Sequence, residues 1–179
     1  TQESDEMFKL LLHYPDYAKE VYINVISMMK QFETRTIRLI SFWLKNKVKS
    51  QGSYIYRYEE ELVDSDNPFL IENSEFVLDE LLSYIPKENG WEVKDSDWSG
   101  KYMHKRNIER ACVELVKKAT IALIRKSPDA FWEYYELYMG KGYYVFNEII
   151  LTSLAYLSPQ YSNQVIRYLS MDLNKNIFD

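Results

Sequence analysis

A chain of 179 residues, 46% hydrophobic and 27% charged, is sized and composed for one globular domain or two small ones with a sizeable core. Five glycines, five prolines and a single cysteine exclude a collagen-like chain, a disulfide scaffold and a turn-rich sandwich, and 16% aromatic residues argue against disorder. The net charge of −5 comes in blocks: six basic groups against one acid over residues 30–49, thirteen acids against two lysines over 59–97, eight basic groups against two acids over 98–126.

Such blocks read as solvated faces of successive helices, or as a docking surface for a charged partner. The polar, acidic start, Thr1 to Glu6, lacks the basic and apolar regions of a signal peptide. No run reaches the ~18 apolar residues of a membrane span. With no initiator Met, the sequence reads as one helical domain, 1–179, taken from a larger protein.

The dominant period is 3.6. Ala18, Val21, Tyr22, Val25, Ile26 and Met29 share one helical face, and Ile37, Ile40, Leu44 and Val48 a second, widened by Phe42 and Trp43. Residues 50–72 break the pattern. Tyr54, Tyr56 and Tyr58 alternate there after Gly52, and the stretch reads as an inserted loop. Asn73 or Ser74 then caps a helix carrying Val77, Leu78, Leu81, Leu82 and Ile85. A second inserted loop, 87–100, holds Asn89-Gly90, Trp91, Trp98 and Gly100.

Ile108, Ala111, Cys112, Leu115, Ala119, Ala122 and Leu123 form the cleanest stripe, with Arg106, Arg110, Lys117 and Lys118 opposite. Cys112 lies on the apolar side, so it reads as a small buried hydrophobe in a reducing, cytoplasmic protein. Helical stretches follow at 128–139 and 143–157, broken by Gly140 and Gly142. The second is apolar nearly all round and reads as an inner helix. The last stripe, Tyr161, Val165, Tyr168 and Leu169, needs a partner beyond it, so the natural chain is expected to continue past Asp179.

Four of the five prolines close an apolar helical stretch. At Ser127-Pro128 and Ser158-Pro159 the serine is placed to cap the helix that proline opens, giving tightly joined antiparallel pairs. The spacing from Pro128 to Pro159 is 31 residues, and from Pro86 to Pro128 it is 42, the range of two-helix repeats. On these junctions the chain resembles the HEAT and armadillo class of α-solenoids, over residues 105–170 and more loosely over 7–50. Its Ile-, Lys-, Asn- and Tyr-rich style is similar to helical regions of large bacterial signalling NTPases. The resemblance implies an all-α fold of stacked helix pairs and a scaffold or sensor segment that binds protein.

The motifs of catalysis are missing from the sequence. Asp95-Ser96-Asp97-Trp98-Ser99-Gly100 matches the start of a calcium loop, but the position of the bidentate glutamate holds Arg106. His13 and His104 stand 91 residues apart, neither in an HExxH frame, and one cysteine does not make a zinc site. Phosphate-binding glycine loops and a serine nucleophile elbow are also missing. Glu92-Val93-Lys94 with Asp79 repeats only the tail of a metal-nuclease motif.

The expectation is a non-catalytic interaction segment without cofactor. Its partner is another protein or the rest of its own parent chain, and the aromatic anchors are Tyr54, Tyr56, Tyr58, Trp91 and Trp98. One alternative is a nucleic-acid-binding domain using Arg106, Arg110, Lys117, Lys118 and Arg125, against which the acidic overall balance argues. Another is an enzyme whose metal site draws on carboxylates of residues 59–97.

Overall fold

The computed structural model describes residues 33–45, 67–87 and 108–171, together with Glu6 and Leu10. Among the described residues the chain is all-α. Six helices follow one another: α1 (Glu33–Lys45), α2 (Pro68–Leu81), α3 (Ile108–Lys126), α4 (Pro128–Tyr135), α5 (Tyr144–Leu154) and α6 (Ser162–Leu169). Short 3₁₀ turns at Leu82–Tyr84 and Pro159–Tyr161 close α2 and open α6.

Helix α2 begins inside the stretch read from sequence as the loop 50–72, and that boundary is corrected here. The Asn67 side chain accepts the Phe69 N–H at 2.9 Å, and Pro68 takes the first helical position, where its missing N–H costs nothing. Asn73, expected as the cap, lies within the helix at a kink (φ −114°, ψ 21°), with its Nδ2 donating to the Phe69 carbonyl at 3.0 Å. The preceding acidic run hid this start. The buried face is Leu70, Ser74, Val77, Leu78 and Leu81, one helical stripe.

Helix α3 is the hub: it packs on α1, α2, α4 and α5. From Ala119 to Ile124 all six side chains are buried, so this part of the helix is enclosed all round. Ala119 and Ala122 let neighbours approach, and Thr120 satisfies its hydroxyl by donating to the Val116 carbonyl at 2.7 Å. Cys112 is buried as expected, its Sγ–H directed at the Leu81 carbonyl of α2. Helix α5, expected as the inner helix, buries Val145, Phe146, Ile149, Ile150 and Leu154 but leaves Tyr144 exposed. The most enclosed position belongs to α3.

Only Ser127 separates α3 from α4. The junction is where the Ser-Pro reading puts it, but neither serine caps with its hydroxyl. The Phe131 N–H instead reaches the Ser127 carbonyl at 3.4 Å, and proline alone sets the turn at Pro159. After α4 the chain reverses through Gly140, whose φ of 69° is left-handed, and a Cβ there would stand 3.1 Å from the Met171 sulfur.

Between α4 and α5 lies an aromatic cluster. Tyr138 stacks on Phe146 with centroids 3.9 Å apart and rings 11° from parallel, while Tyr135 meets both edge-on. The Tyr135 hydroxyl is buried against Thr120. Part of the α6 stripe turns inward. Tyr161 and Tyr168 are buried, and the Tyr168 hydroxyl donates to Asn147 Oδ1 of α5 at 3.0 Å. What α6 leaves outside is Ile166, 60% exposed, and the edge of Leu169.

Candidate interaction groove

The five aromatic residues expected to anchor a partner, Tyr54, Tyr56, Tyr58, Trp91 and Trp98, lie outside the described residues, as do Arg106 and the calcium-like turn. Arg110 falls on α3, with its side chain outside them too. The rest of the expected basic face is at hand and is largely occupied within the fold. Lys117 forms an ion pair with Glu148 of α5 at 3.1 Å, the two side chains only 19% and 34% exposed. The Arg125 guanidinium lies over the Tyr156 ring, 5.3 Å from its centroid, and Lys118 is half-buried. The Lys117–Glu148 pair pins α3 to α5 and neutralises the centre of that face.

A groove of about 380 Å³ opens instead between α4 with its following turn and α6. Trp132, Glu133, Glu136 and Met139 line one side; Gln164, Arg167, Tyr168 and Met171 line the other. Both sides have helical spacing. Residues 132, 136 and 139, like 164, 168 and 171, are spaced i, i+4, i+7 and so share a face. The floor is apolar and soft: two thioethers, an indole and the ring of Tyr168. The thioethers adapt their shape to whatever lies on them.

Three charged groups and one buried donor around this floor have no partners among the described residues. Glu133, Glu136 and Arg167 are exposed and form no ion pair there, with one another or with other side chains. The Trp132 Nε1–H is buried and unmatched, although its ring packs edge-on against Phe131 at 5.0 Å. A buried donor without an acceptor costs about 1–3 kcal/mol, so such groups are rare in finished interiors. Ser74 Oγ on α2 is the other such atom among the described residues, but it faces the core, away from any groove wall.

Tyrosine chemistry does not single out a reaction centre. Burial pushes the Tyr134 hydroxyl well above its ordinary pKa, helped by its hydrogen bond to Asp79 at 2.8 Å and by the charges of Asp79 and Glu75. Burial also raises Tyr135, against the opposing effect of its hydrogen bond with Thr120, and raises Tyr168. All three stay neutral at physiological pH and act as hydrogen-bond donors that hold helices together. Among the described residues, no cluster of His, Cys, Asp or Glu is arranged to hold a metal ion, and no helix is long and apolar enough to cross a membrane.

Sequence reasoning passed over Trp132, Glu133, Glu136 and Arg167. The signal in α4 was available: Asp129, Glu133 and Glu136 form an acidic stripe at i, i+4, i+7 opposite buried Phe131, Tyr135 and half-buried Tyr138. In comparisons with known proteins, no family model, curated protein or solved structure matches the chain.

Proposed function

We propose that the chain is a non-catalytic interaction segment, built as stacked antiparallel helix pairs in the manner of an α-solenoid. It docks another protein, or another part of its own parent chain, in the groove between α4 and α6. One observation carries this reading. The groove combines an apolar floor with charged groups of both signs that have no partner among the described residues, in a fold that pairs Lys117 with Glu148 and Lys126 with Glu75 elsewhere. Interfaces concentrate aromatic, methionine and arginine side chains in this way. The one-residue junction at Ser127 supports tight helix pairing, and buried Cys112 suits a reducing, cytoplasmic setting. The internal pairing of Lys117 weighs against a nucleic-acid face on α3.

A photo-crosslinking residue placed at exposed Gln164, with a control at exposed Ser83, tests the assignment in cells of the native host. The expected result is a discrete protein adduct from position 164 alone, lost when Met139→Glu closes the groove and unaffected by nuclease. Equal adducts at both positions, or adducts lost on nuclease treatment, would overturn it.

A further inference from the structure

Resting on that reading, we infer that the occupant of the groove is a short cationic and apolar peptide segment, with an apolar side chain on the floor and lysine or arginine beside it. The argument starts from the charge pattern of α4. Asp129, Glu133 and Glu136 stand on one face, all exposed, and residues 128–139 contain no Lys or Arg. The α4 wall therefore presents carboxylates and no cation of its own. The α6 wall offers one cation, Arg167, and the neutral amide of Gln164.

Arg167 does not neutralise the opposite wall, since it forms no ion pair with Glu133 or Glu136. A segment lying between the walls meets carboxylates on one side and a guanidinium on the other. Basic side chains are drawn to the α4 side. On the α6 side Arg167 repels them and favours backbone carbonyls, which gives the segment a preferred direction. Nucleic acid is disfavoured here, because phosphates would lie along Glu133 and Glu136.

The floor supplies the apolar half of the specificity. A groove of about 380 Å³ holds one or two apolar side chains rather than a whole helix face. Trp132, Met139 and Met171 would bury a Leu, Ile or Met side chain without demanding one shape. The Trp132 indole N–H has no acceptor among the described residues. An occupant that lets the indole turn toward a peptide carbonyl supplies one, so part of the affinity comes from satisfying a group the fold leaves unmatched.

Fluorescence anisotropy with three end-capped hexapeptides tests this: lysine alternating with leucine, glutamate with leucine, and lysine with serine. The lysine–leucine peptide is expected to bind at least tenfold more tightly than either of the others, and to weaken several-fold between low and high salt because Glu133 and Glu136 are exposed. The double variant Glu133→Lys/Glu136→Lys, at surface positions that leave the fold intact, is expected to reverse the order of the two leucine peptides. Met139→Glu should abolish binding; Gln164→Trp, which fills the groove from an exposed position, serves if that variant fails to fold.

Preferential binding of the glutamate–leucine peptide, still blocked by Gln164→Trp, would overturn the cationic assignment and leave the groove reading standing. Absence of peptide binding together with a position-164 adduct indifferent to Met139→Glu would overturn both. Self-association abolished by Gln164→Trp, without peptide binding, would replace the peptide with a second copy of the chain.

Discussion

Helix α5 divides the described structure into two regions with opposite treatment of their polar groups. On its α3 side and at its contact with α6, polar groups are matched: Lys117 with Glu148, Asn147 with the Tyr168 hydroxyl, and Ser153 with the Ile149 carbonyl. One residue face away, between α4 and α6, Glu133, Glu136, Arg167 and the Trp132 N–H are brought around an apolar floor and matched with nothing described. The first region spends its polar groups on holding helices in place. The second keeps them available, which is what separates a binding surface from a packing surface when both have helical periodicity.

The sharpest way to break the matched region is through its aromatic centre. Phe146 is fully buried and touches Tyr135, Tyr138 and Tyr143. Phe146→Ala removes the shared partner of three rings and leaves a cavity between α4 and α5, at an expected cost of about 3–5 kcal/mol. Chemical denaturation checks it. A loss under ~1 kcal/mol would mean that the stacked cluster contributes little.

Alkaline pH probes the same region without mutation. Tyr134, Tyr135 and Tyr168 all have pKa values raised in the folded chain, chiefly by burial. In the unfolded chain they ionise near the usual tyrosine value of about 10. Below that pH both states keep the protons, and the contribution of these residues to stability is fully present. Above it the unfolded chain sheds protons that the folded chain retains, so stability falls steadily as pH rises toward the folded values. Tyrosinate absorbance should rise in two stages, the late one coinciding with loss of helical circular dichroism. A single stage completed while the helices persist would contradict the burial of Tyr135 and Tyr168.

Tyr168→Phe is expected to have a smaller effect. The ring stays, but Asn147 Oδ1 loses its donor inside the protein, which costs about 1–3 kcal/mol. Adding Asn147→Leu removes the stranded acceptor, so the double variant should be more stable than the sum of the single losses implies. Additivity would mean that the two groups are not coupled across the α5–α6 contact.

These contrasts also show what the sequence could and could not reveal. The stripes on α1, α3 and α6 are local, and their periodicity located those helices correctly. The start of α2 was legible in Asn67-Pro68, a side-chain cap followed by the residue best suited to the first turn, but thirteen acids over 59–97 drew attention to charge instead. The hub role of α3 was hidden because its polar Thr120 bonds to its own backbone and so can be buried. The groove was not legible. Residues 132, 136 and 139 make an ordinary helix face, and so do 164, 168 and 171. Their meeting depends on long-range packing and on the reversal at Gly140, whose backbone closely approaches Met171.

The smallest expected effects separate the two regions most cleanly. Lys117→Met removes one half of a partly buried ion pair and leaves Glu148 facing α3 without its cation; the expected loss is about 0.5–1 kcal/mol, the range for pairs that retain some solvent. Glu133→Gln and Glu136→Gln also remove single charges from the surface, but no partner among the described residues is lost, so stability should change by less than about 0.5 kcal/mol in either direction. The difference should persist at low salt and shrink at high salt, where the Lys117 pair is screened while the glutamates have no pair to screen. If neutralising Glu133 or Glu136 destabilised the fold as much as Lys117→Met, these carboxylates would be holding the helices together. In that case the α4–α6 groove would belong with the packing surfaces, and its unmatched charges would no longer distinguish it.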